Sequence, residues 1–183
     1  MNVKHPIVAV GFGLLLALTG APRSAAAADD DATSSKVSVR VTDKGVVIAQ
    51  VKVSNKTAAV REVLASAERS HNLAPTTVSS HATRDGDCEK VKLAVRGLIS
   101  PFQLETRRCP TATGYLETMI SSNDFLEYRN EWEFKDLGAE GTLITFKTRT
   151  LPNVQVPESL ILMETKRVLT RLMKNLVGAL GEG

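Results

Sequence analysis

Hydrophobic positions along this chain repeat with two periods. Over residues 36–42, Val37, Val39 and Val41 alternate with Ser38, Arg40 and Thr42, the period of two that marks a half-buried strand. Asp43-Lys44-Gly45 supplies a hairpin turn, and 46–53 repeats the alternation with Val47, Ala49, Val51 and Val53 on one face. Behind the cap-type residues Ser54 and Asn55 the period changes. Val60, Val63, Leu64 and Ala67 form a helical stripe over 56–69, and His71 to Pro75 end it. The period of two then returns, predicting strands over 76–83, 89–96, 102–109, 114–121, 125–137 and 142–151. Turn chemistry separates them, as at Arg84-Asp85-Gly86-Asp87 and Gly138-Ala139-Glu140-Gly141. Such short links imply an antiparallel meander.

The chain closes on one long amphipathic helix, from Val156 to about Leu180. Pro157 suits its first turn, where a missing N–H costs nothing, and Glu158 favours the positive helix end. Leu162, Thr165, Leu169, Leu172, Met173, Leu176 and Leu180 share one face, while Glu164, Arg167, Arg171, Lys174 and Asn175 share the other. With almost everything before it in strands, this helix must bury its stripe against a bent sheet. The predicted fold class is α+β, a helix-grip fold in which a curved antiparallel sheet wraps around a long C-terminal helix. A pocket between sheet and helix would be mostly apolar with a few orienting polar groups. Its candidate ligand-binding residues are Leu93, Leu104, Leu116, Tyr128, Trp132, Ile144 and Phe146 from the sheet, with Leu162, Thr165 and Leu169 from the helix. Thr118, Asn130 and Thr148 are the polar exceptions on the sheet face. Left unpaired in the interior each would cost about 1–3 kcal/mol, so each must be bonded to a neighbour, to water or to a ligand.

The N-terminus changes the picture of where the domain starts. Lys4, the apolar run from Ile7 to Leu18 and the small residues Ala25 to Ala28 before Asp29 read as a secretory signal peptide over 1–28. The run is too short for the ~20 residues of a membrane span. Residues 29–35 read as a polar, disordered leader and 36–183 as one domain, exported to the bacterial periplasm. Of 23 basic residues two, Lys4 and Arg23, lie in the signal peptide, which holds no acidic residue, leaving the mature chain 21 basic against 20 acidic ones. That balance offers nothing to nucleic acid.

An exported protein with two cysteines invites a disulfide. If the hairpin between the second and third strands of the meander is centred on 97–101, Val95 meets Phe102, Leu93 meets Leu104, Val91 meets Thr106 and Lys92 meets Glu105. The same register sets Cys88 opposite Cys109, within bridging reach.

From Val46 onward the chain resembles a known family. VVIAQVKVSNKTAAVREVL, LAPTTVSSH, YRNEWEFKDLGAEGTLITFKTRTLPNVQVPESLI and the closing helix, in that order, resemble the START/SRPBCC (Bet v 1-like) superfamily, nearest its polyketide cyclase/dehydrase and coenzyme Q-binding groups. The Trp-bearing strand, turn, Thr-rich strand and Val-Pro helix start are the most specific part. The resemblance implies a hydrophobic ligand, lipid, quinone or polyketide-like, held between sheet and helix, with room for transient membrane contact. The front strand and the cysteine pair are not required by it.

Groups for catalysis are scarce. Outside the signal peptide, which holds His5, only His71 and His81 remain of three histidines, the first at a helix end and the second on a face expected to be wet. There is no zinc ligand set, no G-x-S-x-G elbow and no phosphate-cradling glycine loop. No metal, cofactor or catalytic residue is therefore assigned, and a non-catalytic binding or carrier protein is the leading expectation. A cyclase- or dehydratase-like enzyme is the alternative and needs a proton-transfer group in the pocket, for which His81, Glu89 and Tyr128 are candidates. An envelope protein-interaction module is the third reading.

Overall fold

The computed structural model describes residues 35–97, 101–153 and 155–181. The expected signal peptide and all but the last residue of the leader lie outside the described residues. The described residues run β1 (Ser38–Val41), β2 (Val47–Val53), α1 (Thr57–Val63), α2 (Ala67–Asn72), β3 (Thr77–Asp85), β4 (Cys88–Val95), β5 (Phe102–Pro110), β6 (Gly114–Ser122), β7 (Phe125–Asp136), β8 (Thr142–Pro152) and α3 (Glu158–Ala179). The eight strands form one antiparallel sheet in the order β1-β2-β8-β7-β6-β5-β4-β3. β3 to β8 follow one another as a meander, and the β1–β2 hairpin joins through the long-range β2–β8 pairing, Val47 opposite Thr148 to Val53 opposite Thr142. Gly141 allows β8 to begin close to β2. Its φ of +91° suits glycine, and a Cβ there would lie 2.0 Å from the Val53 carbonyl oxygen.

The expected single helix over 56–69 is two. The ladder stops after Val63, and Ser66 caps a new helix by accepting a hydrogen bond from the Arg69 N–H at 3.2 Å. The break frees the Leu64 carbonyl, which a buried arginine from β5 then takes.

Two apolar clusters hold the inner face. The larger joins Val47, Ala49, Val51 and Val53 of β2 and Trp132, Phe134, Ile144 and Phe146 of β7 and β8 to Leu169, Leu172, Met173, Leu176 and Val177 of α3. Trp132 and Phe146, cross-strand partners, pack ring to ring at 4.3 Å. The smaller comprises Leu93, Leu104 and Phe125 with Val95, Phe102, Met119 and Tyr128. The β4–β5 register is the one the sequence predicts, and Cys88 and Cys109 are bridged across it with Cα atoms 4.3 Å apart.

Candidate functional site

α3 closes over the sheet unevenly. Its last turns are sealed into the larger cluster, whereas in its first turns Leu160 and Met163 are exposed and Ile161 and Leu162 only partly covered. A recess of about 420 Å³ opens at this end, lined by Leu126, Leu151, Pro152, Val156, Glu158 and Ile161. The helix period explains the asymmetry. Thr165 interrupts the apolar stripe and turns its hydroxyl back to the Ile161 carbonyl at 2.8 Å, so continuous leucine packing begins only at Leu169.

Between the two apolar clusters a polar seam crosses the inner face. Glu117 of β6 stands opposite Asn130 of β7, which stands opposite Thr148 of β8. Thr148 donates to Asn130 Oδ1 at 2.7 Å, and Asn130 Nδ2 donates to the Tyr128 hydroxyl at 2.8 Å. Glu117, 4% exposed, receives the Thr106 hydroxyl at 2.5 Å and faces His71 Nε2 at 3.0 Å, while His71 Nδ1 meets Ser80 at 2.8 Å. This pair ties α2 to the middle of the sheet.

Burial alone would raise the Glu117 carboxyl. The charge and hydrogen bond of His71, the Thr106 hydroxyl and the nearby Arg108 outweigh it and hold the carboxyl below its usual range. The Tyr128 phenol goes the other way. Burial, with the Glu117 charge adding to it, pushes it well above its ordinary value against the opposing Asn130 hydrogen bond. Tyr128 keeps some accessible surface as a residue, but its hydroxyl lies among packed groups.

The structure divides the expected site residues into five groups. Trp132, Ile144, Phe146 and Leu169 lie in the sealed larger cluster with Leu162 packed at its margin, and Leu93 and Leu104 lie in the smaller one. Tyr128, Asn130 and Thr148 meet in the seam, bonded to one another. Thr165 is half-buried and bonded to its own helix.

Leu116 and Thr118 are corrections. Both stand on the outer face, Leu116 between Cys109 and Glu131 and Thr118 between Arg107 and Arg129, and Ile120 on the same parity is exposed. β6 carries apolar side chains on both parities, and its inward set is Tyr115, Glu117 and Met119. A carboxylate on that set argues for water until its partners are known. Of the proton-transfer candidates, the His81 side chain is 89% exposed and lines neither recess described in this structure. Glu89 is held by Arg108 at 3.1 Å, and Tyr128 points inward.

Sequence reasoning placed Thr106 inward but missed His71, Arg108 and Glu117 as interior groups. One signal was present. The register that sends Val91 and Thr106 inward sends Glu89 and Arg108 inward as well.

No protein-family model matches the chain, and no curated protein matches it in sequence. Solved structures do. A START superfamily protein from Mycobacterium smegmatis is similar over 75% of this chain and 97% of its own, with 16% identity and a TM-score of 0.65. The Zhui aromatase/cyclase from Streptomyces sp. R1128 is similar over 75% and 92%, with 19% identity and a TM-score of 0.59. A STAR-related lipid transfer protein from Xanthomonas axonopodis is similar over 79% and 98%, with 13% identity and a TM-score of 0.58. The sheet order, the seated C-terminal helix and these likenesses together place the chain in the START/SRPBCC helix-grip fold.

Proposed function

We propose that the chain is an exported, non-catalytic binding or carrier protein for a hydrophobic small molecule, taken up under the first turns of α3. The observation that carries this is the uneven closure of the helix: sealed from Leu169 onward, but with Leu160 and Met163 exposed in its first turns, where a recess opens whose wall mixes Leu126, Leu151, Val156 and Ile161 with Asn153, Gln155 and Glu158. Apolar side chains left open at the mouth of a grip suit a lipid or quinone tail. Solved structures of the same fold include the STAR-related lipid transfer protein from Xanthomonas axonopodis. The Cys88–Cys109 bridge suits an oxidising compartment and supports export. The polar seam is bonded internally, which supports a binding role over a catalytic one.

Native mass spectrometry of the exported protein tests the reading. A co-purifying lipid or quinone is expected, as is saturable uptake of a fluorescent long-chain lipid that Val156→Asp weakens at least tenfold without changing the melting temperature. Repeated recovery of empty protein with no uptake of fluorescent lipids or quinones overturns it.

One observation favours a second reading, a cyclase- or dehydratase-like activity. Tyr128 remains an inward-facing proton donor on a fold shared with an aromatase/cyclase. Turnover of a polyketide-type substrate that is lost in Tyr128→Phe would establish it.

A further inference from the structure

At the other end of the strands, where β3 turns into β4 and β5 into β6, lies a recess of about 530 Å³. Ala65, Ala82, Arg84, Glu89, Pro110 and Tyr115 help to line it, and Arg108 forms part of its wall. Arg108 is 2% exposed. Its Nη1 donates to Glu89 at 3.1 Å, its Nη2 donates to the Leu64 carbonyl at 2.6 Å, and its guanidinium carbon lies 3.8 Å from the centre of the Tyr115 ring. Nε, although buried, has no acceptor among the described residues. A guanidinium cannot shed its proton, so a buried donor without a partner is a cost the fold carries.

Two arginines, Arg84 and Arg108, and two carboxylates, Glu89 and Asp87, line the recess, so room for a further acceptor rests on hydrogen-bond capacity and not on net charge. Glu89 shares the oxygen that meets Arg108 with the Ala67 N–H at 2.9 Å, so its carboxylate is divided between two donors. Arg84, on the rim, spends its own Nε on the Gly86 carbonyl at 3.2 Å, leaving its two terminal nitrogens. A planar oxyanion matches the fork of an arginine, and the Tyr115 ring, Pro110 and the alanine methyls offer an apolar wall beside it. The volume suits a small organic molecule.

We propose that this recess binds a small carboxylate with an aromatic or short aliphatic body, its carboxylate on Arg108 with Arg84 as the second cation. The site is separate from the mouth under α3, so the two readings stand or fall independently.

Nuclear magnetic resonance of the 15N-labelled folded domain tests it, following the Arg108 Nε–H signal assigned through its side-chain carbons. Benzoate is the probe, inorganic phosphate a parallel arm and chloride the ionic-strength control. Benzoate is expected to move the Nε–H signal saturably, with affinity at least fivefold weaker in Arg84→Ala and unchanged in Val156→Asp; in Arg108→Lys the backbone amides of Ala65 and Ala82, which shift with benzoate in the wild type, are expected not to respond. Arg84 is exposed, so its variant keeps the test open if Arg108→Lys fails to fold. No saturable shift with benzoate, an equal shift with chloride, a response to phosphate alone, or unchanged affinity in Arg84→Ala overturns the proposal.

Discussion

Replacing Glu117 by Gln should cost the fold roughly 3 kcal/mol at neutral pH and remove much of its sensitivity to acid. The carboxylate is almost wholly buried, and its two oxygens are taken by His71 and Thr106. Removing one member of a buried ion pair costs about 3–5 kcal/mol, because the partner is left without compensation. Glutamine keeps a carbonyl for one of the two donors, which points to the lower end.

The pH dependence adds a second signature. The carboxyl is held below its ordinary value of 4.5, so near and below that pH the folded protein binds fewer protons than the unfolded chain. Its stabilisation is therefore complete above pH 4.5 and declines as the pH falls through the depressed value. Urea unfolding followed by circular dichroism, at neutral pH and over the range between about pH 5 and pH 3, measures both effects. The wild type should lose stability over that range more steeply than Glu117→Gln, and the curves should converge. A variant within about 1 kcal/mol of wild type at neutral pH, or parallel acid slopes, would refute the reasoning, since surface substitutions move stability by less than that.

Three further outcomes follow from the packing and the bridge. Met173→Ala should lose roughly 3 kcal/mol in denaturant unfolding, whereas Met163→Ala should stay within about 0.5 kcal/mol, because Met173 is 0% exposed and Met163 is 61% exposed. Cys88→Ser should cost on the order of 3 kcal/mol, from releasing a bridge that spans 21 residues of chain, and reductant should have the same effect on the wild type. Tyr128, one of two tyrosines, should resist ionisation past pH 10 in near-ultraviolet titration and ionise only as the fold opens. A phenol with a raised value stabilises the fold fully below pH 10 and loses that contribution as the pH climbs, so Tyr128→Phe should abolish the late step.

Much of the architecture was legible along the chain. The alternation of Tyr128, Asn130, Trp132 and Phe134 against charged neighbours placed β7 correctly, since a strand with one wet face must carry its charges there. The β4–β5 register, and with it the disulfide, followed from local pairing about a short loop. β6 was legible as a strand but not in its facing. Gly114 to Ser122 offers apolar residues on both parities, and Glu117 hides the inward set from any rule that sends carboxylates to water. Arg108 was hidden in the same way. Its charge speaks for solvent, yet the carbonyl it takes lies 44 residues away at a helix break that the apolar stripe over 56–69 does not announce. His71 gave the plain impression of a helix end until Glu117, 46 residues on, came opposite.

Taken alone, the sequence determined the period of each segment, the order of strands in the meander, the long closing helix and the cysteine pairing. These depend on neighbours a few residues apart or facing each other across one turn. Only the tertiary structure decided which charged groups enter the interior, how far along α3 the seal extends and where the two recesses open. Burying a charge is affordable only beside its partners, and here the partners come from separate elements: His71 from α2 for Glu117, and the Leu64 carbonyl for Arg108.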